Sequence, residues 1–172
     1  MTAHIPTLSL SDVETPQFVS AIGEAYEHYG FVIIENHGIP QELIDRFLRQ
    51  FKTFFAWTES EKQRFHLKGG GGARGYTPFG IETAKGSAHF DLKEFWHIGR
   101  ELPEGHPYRH YMADNVWIDS IPGFRETCIE MFDMFDLTGR RLLTAIARVL
   151  KLAPDYFEDK VQLGNSVLRV IH

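Results

Sequence analysis

The segment YGFVIIENHGIP, residues 29–40, leaves the surrounding chain little freedom. Gly30 supplies the left-handed backbone that commonly closes a helix. Phe31-Val32-Ile33-Ile34 is short, apolar and β-branched, and reads as a buried strand. Asn36-His37-Gly38 is a turn, with Gly38 permitting its backbone and His37 in a structural role at the corner. Pro40 suits the first turn of a following helix. Twelve residues thus demand helix, strand, turn and helix in succession, so the fold class is mixed, α/β in the α+β sense.

The flanking sequence extends that order. Residues 5–10 are a short strand candidate. Thr15 caps and Pro16 opens a helix in which Phe18, Ile22, Ala25, Tyr26 and Tyr29 share a face. After Pro40, Ile44, Phe47, Phe51 and Phe54 keep the same spacing. Thr58 and Glu61 form a capping box for a short helix to about Phe65. Gly69-Gly70-Gly71-Gly72 carries high backbone entropy and reads as a flexible loop. It lacks the Lys-Ser/Thr of a phosphate loop. Residues 93–98, KEFWHI, predict a strand, and 99–121 are irregular. Pro122 opens the longest helix, with Phe124, Cys128, Met131, Phe132, Phe135, Leu142, Ile146, Val149 and Leu150 in phase to about Leu152. Pro154 starts a helical turn to about Asp159. Val167, Leu168, Val170 and Ile171 make 166–172 a strand.

Charge and cysteine usage narrow the partners. The net charge is -5 and no lysine- or arginine-rich block exists, so neither nucleic acid nor an acidic membrane surface is an expected partner. The single cysteine, Cys128, fits a reducing compartment. Residues 1–12 show neither a basic region nor a long apolar run. A soluble cytoplasmic protein is expected. With no repeat or linker, residues 1–172 read as a single region. The last strand needs a hydrogen-bonding partner. An interrupted fold is the expectation; the competing reading pairs this strand with residues 31–34.

Several segments fall in one order: GFVIIENHGIP (30–40), FFAWTESEKQRF (54–65), GARGYTPFGIETAKG (72–86), DLKEFWHIGRE (91–101) and NVWIDSIPGFRE (115–126). The series resembles the amino-terminal region of the isopenicillin N synthase-like 2-oxoglutarate/Fe(II) oxygenases. The resemblance covers residues 5–172. It implies a helix-rich amino-terminal region supporting a double-stranded β-helix, or jelly-roll, core. Residues 165–172 would begin that core, with most core strands missing from this chain. It also implies Fe(II), held by a His-x-Asp pair and a distant His, and 2-oxoglutarate, held by an Arg-x-Ser. Two imidazoles and a carboxylate leave three iron positions open for 2-oxoglutarate and O2. The chain has no Arg-x-Ser after the long helix, so those ligands are expected beyond His172. The implied reaction is hydroxylation, desaturation or ring closure of a small organic substrate. The 172 residues alone would then be inactive. The rival is a non-catalytic helical module binding a partner chain or itself.

His89-Phe90-Asp91 is a literal His-x-Asp, for which His97, His106, His110 or His172 would have to supply the third ligand. The resemblance places Asp91 ahead of the core, and a metal role for His89 and Asp91 is rejected. Three residues remain as pocket candidates. Arg169 sits in an otherwise apolar strand, where an unpartnered guanidinium is costly. The resemblance sets that strand beside the pocket, so Arg169 is expected to meet a substrate or cosubstrate carboxylate, against the rival of an internal salt bridge. Tyr76 follows a glycine after which related oxygenases aim a tyrosine at the substrate. Glu82, with Arg74, is a weaker candidate, since both also read as solvated.

Overall fold

A computed structural model describes residues 5–83, 85, 86 and 88–172. Residues 1–4, part of the terminus read above, and Ala84 and Ser87 lie outside the described residues; Ala84 belongs to the 72–86 segment.

Helix α1 (Pro16–Tyr29) begins where Thr15 Oγ1 accepts a hydrogen bond from the Phe18 amide at 3.1 Å, and it stops at Gly30 with φ 71°. The next run forms β2 (Ile33–Glu35), which pairs in parallel with β1 (Thr7–Ser9). The buried strand expected here is not what forms, because Phe31 is 68% exposed and Ile33 is also exposed. A β-branched run selects extended backbone; it does not decide which faces are covered. In the turn, Asn36 has φ 51° and Gly38 φ 83°. His37 Nδ1 accepts from the Ile39 amide at 3.1 Å.

These elements belong to one compact unit, Met1–Pro40 with Asp133–Gly164. Its core joins Leu10, Val13, Phe18 and Ile22 to Ala145, with Leu142 and Val149 packed alongside. The last three come from α4 (Phe124–Val149). Gly23 keeps α1 close to that helix: a Cβ there would lie 3.0 Å from Val149 Cγ1. Arg140 and Arg141 each hold a partner. Arg141 donates to the Leu10 carbonyl at 3.0 Å, and Arg140 pairs with Asp136 and with Glu158 of α5 (Glu158–Val161). The turn expected from Pro154 forms over 154–157 and leads into α5.

The second unit comprises Gln41–Phe132 and Asn165–His172. Helix α2 (Gln41–Phe55) precedes α3 (Glu59–Lys62), whose capping box forms, with the Thr58 amide donating to Glu61 Oε2 at 2.8 Å. Three strands follow: β3 (Gly75–Thr77), β4 (Phe95–Gly99) and β5 (Val167–Ile171), antiparallel in the order β3-β4-β5. The pairing of the last strand with residues 31–34 does not occur. Strand β5 registers on β4, where Leu168 and Val170 meet Ile98 and Trp96. Trp96 is fully buried among Phe51, Phe54, Phe65 and Phe124, ring centroids 4.9–6.1 Å away. Among the described residues, no helix is long and apolar enough to cross a membrane.

Candidate functional site

Side chains alternate across a strand, so the β3-β4-β5 sheet has two unlike faces. Tyr76, Trp96 and Val170 form one cross-strand row. Gly75, His97 and Arg169 form the next, on the opposite face. Arg169 and Tyr76 therefore point to different sides of the sheet. Glu82 joins Arg169, and Tyr76 does not.

On its face Arg169 is held from three directions. Its Nε donates to His97 Nε2 at 2.5 Å, and its Nη2 reaches Glu82 Oε1 at 3.4 Å. Its guanidinium carbon stands 4.4 Å from the centre of the Phe95 ring, a cation–π distance. Glu82 is bound more closely by Lys93, at 2.9 Å. Arg169 keeps 37% of its side chain exposed. The other nitrogen of His97, Nδ1, lies 2.5 Å from the Gly72 carbonyl. Because a carbonyl only accepts, that nitrogen carries the proton and Nε2 is left as the acceptor Arg169 needs. Burial, and then the neighbouring Arg169 and Arg74 charges, hold the imidazole's pKa below its ordinary value.

The Tyr76 face carries a buried charge cluster around Glu94. Glu94 Oε2 accepts from Lys62 Nζ at 2.7 Å and from the Tyr76 hydroxyl at 2.5 Å. Glu94 Oε1 lies 3.0 Å from His172 Nδ1. Burial alone raises a carboxyl pKa, but these three hydrogen bonds outweigh it and hold Glu94 below the usual range. Burial and the Glu94 carboxylate push the Tyr76 phenol up, so it stays protonated as a donor. Arg74 is not solvated: it is 2% exposed, buried on the His97 side of the sheet. Its Nη1 and Nη2 donate to the Ala73 carbonyl at 2.7 Å and Asn165 Oδ1 at 3.0 Å. It lies flat over Gly99, where any Cβ would fall 1.9 Å from its guanidinium carbon.

Lys62 and Glu94 do not stand out in the sequence, and His97 enters there only as a possible third metal ligand. The available signal is period two. It puts His97 on the same face as Phe95 and leaves Glu94, next to an apolar run, requiring a partner. Asp91 pairs with Lys93 at 2.8 Å, and His89 is exposed. Among the described residues no group of three His, Cys, Asp or Glu side chains is placed to hold a metal ion.

A short antiparallel sheet packed against Phe51, Phe54 and Phe124, with a half-exposed arginine on the face opposite Tyr76, holds the candidate residues. The profile described as "non-haem dioxygenase in morphine synthesis N-terminal" matches residues 5–120. The chain belongs to this family, within the isopenicillin N synthase-like 2OG-Fe(II) oxygenases. A crystal structure of a 2OG-Fe(II) oxygenase family protein from Caulobacter crescentus superposes with a TM-score of 0.88 at 44% identity, covering 99% of this chain and 56% of that one. The proline hydroxylase buaE of Petromyces alliaceus is 31% identical over 162 residues, 90% of this chain and 49% of its own length. The 2-oxoglutarate-Fe(II) type oxidoreductase hxnY of Emericella nidulans is 28% identical over 163 residues, 91% and 47%. The chain spans about half the length of the curated relatives it matches.

Proposed function

We propose that these 172 residues serve as the amino-terminal region of a cytoplasmic oxidoreductase that uses Fe(II), 2-oxoglutarate and O2 to oxidise a small organic substrate. Residues 165–172 lead into its jelly-roll core. The family match and the names of the relatives support the cofactors. The described residues do not themselves fit an iron ion, so the metal ligands are assigned to sequence outside them. What this chain contributes is one wall of the pocket. Arg169, with Glu82 beside it, fronts that wall and receives a substrate or cosubstrate carboxylate. Tyr76 contributes from behind, tying β3 to β4 through Glu94.

The observation that carries this reading is the geometry of Arg169. It is the only member of its row with an exposed charged head, and its closest polar partner is a neutral imidazole rather than a carboxylate. A fork of donors in that state matches a carboxylate. In the intact protein, Arg169→Leu is expected to weaken the binding of 2-oxoglutarate or of an organic-acid substrate by about tenfold or more, as loss of a charged hydrogen bond does. Equilibrium dialysis with 2-oxoglutarate and with hexanoate checks this. Unchanged affinity for both removes Arg169 from the pocket.

A second reading, a non-catalytic module that binds a partner chain or itself, draws on exposed apolar side chains of the second unit. Leu92 is 95% exposed, and Phe79, Ile81, Phe90 and Ile171 are open with it. It predicts that the intact protein binds no Fe(II), which titration calorimetry decides.

A further inference from the structure

Resting on that assignment of Arg169, we infer that His97 is the positioning residue of the site: fixed as its Nδ1–H tautomer by the Gly72 carbonyl, it turns the Arg169 guanidinium so that the outer edge faces an incoming carboxylate.

A guanidinium on a half-exposed strand samples many rotamers, and ordering it for a ligand costs free energy at the moment of binding. Here the ordering is built in. The Nε edge is taken by His97 and one face by Phe95. The Nη2 contact with Glu82 is long at 3.4 Å, and Glu82 has a closer cation in Lys93 at 2.9 Å. An arriving carboxylate therefore displaces the weakest of the three contacts and leaves Glu82 paired. The remaining Nη donors point away from His97. Val167 and Ile171, exposed on the same face as Arg169, offer apolar surface on either side. The ligand class this suits is an organic acid with an apolar body.

The imidazole performs this task only in one protonation state. A second proton, on Nε2, removes the acceptor and sets a cation against Arg169. The groups facing the ring are Arg169, Arg74 and Glu82, with the Gly72 carbonyl and the Phe95 ring, whose centre is 4.7 Å away. The two arginines oppose that proton and Glu82 favours it. The same contact gives the last glycine of the run a role. Gly72 has φ 69°, and a Cβ there would come 3.1 Å from Thr77 Oγ1, so the loop presses its carbonyl onto the sheet where His97 waits.

Three variants of the intact protein separate the links. His97→Gln places an amide oxygen near the former Nε2 and keeps an acceptor for Arg169. His97→Asn keeps only a donor toward Gly72, and His97→Leu keeps neither. Calorimetric titration uses 2-oxoglutarate, hexanoate and the neutral control hexanamide. Whichever acid Arg169→Leu weakens identifies the source of the carboxylate. For that acid His97→Leu and His97→Asn are expected to bind about tenfold more weakly, His97→Gln within about threefold of wild type, and hexanamide unchanged throughout. Wild-type affinity should hold above pH 6.5 and fall on acidification below it, since the His97 pKa lies below its ordinary 6.5; the Gln variant should show no such fall. Should a variant fail to fold, ring-nitrogen NMR of the wild type reports the tautomer directly. An Nε2–H ring, a His97→Leu variant that binds like wild type, or a Gln variant as weak as Leu overturns the inference. If Arg169→Leu itself has no effect on either acid, it is the pocket assignment that fails.

Discussion

Glu94→Ala is expected to destabilise the protein by about 3–5 kcal/mol, the range for breaking a buried ion pair from one side. The carboxylate is the shared acceptor of Lys62, Tyr76 and His172. Its removal takes the closest partner from a lysine that is almost fully buried and a phenol that has no exposure at all, leaving each only a longer contact with Glu59, at 3.7 and 3.4 Å. Urea unfolding monitored by tryptophan fluorescence measures this. Adding Lys62→Met to Glu94→Ala should recover part of the loss, because the buried charge that has lost its closest partner is gone as well. The same cluster predicts an acid limb. The folded pKa of Glu94 lies below its ordinary 4.5, so its contribution is complete above that value and is lost as pH falls through the folded pKa. In the Glu94→Ala variant this part of the acid limb should be missing.

Gly75→Ala should cost about 2–5 kcal/mol by the same assay, from a strained backbone and an overfilled space together. Gly75 has φ 69°, and a Cβ there would lie 2.7 Å from the Phe65 carbonyl oxygen and 2.9 Å from Val116 Cγ2. Gly80 is the control. It has φ 79° with open space around it, so Gly80→Ala should lose only about 1–2 kcal/mol. Equal effects at the two positions would show that crowding at Gly75 contributes nothing.

The contrast between those glycines shows what a sequence discloses and what it withholds. Nothing in the residues beside them tells the two apart. Only the approach of Phe65 and Val116, ten and more residues away, makes one of them irreplaceable. Local rules serve well where the partners are local. Thr15, Gly30 and the Thr58–Glu61 box mark helix ends through contacts three or four residues long. They serve poorly for pairing. Residues 166–172 read clearly as a strand, but its neighbour, β4, lies about seventy positions upstream and nothing local points to it. The exposure of Phe31 is illegible for the same reason, since coverage of a strand face depends on what packs over it.

The candidate site is legible by half. An arginine alone in an apolar strand announces a need for a partner, and Arg169 is found that way. The identity of the partner is not in view: the His97 imidazole meets it only through the β4–β5 register. Tyr76 reads as a pocket residue on the strength of its motif. The alternation of β3 against β4 turns it to the other face, where its hydroxyl is committed to Glu94.

If this chain is one wall of an iron- and 2-oxoglutarate-dependent oxygenase, the intact protein must bind both, and bind them together. Loading it with one equivalent of Fe(II) in the absence of oxygen, then adding 2-oxoglutarate while following visible absorption, decides the matter. A charge-transfer band from the iron chelate is expected, saturating at one equivalent of 2-oxoglutarate. Failure to take up iron, or bound iron that gives no response to 2-oxoglutarate, would contradict the assignment.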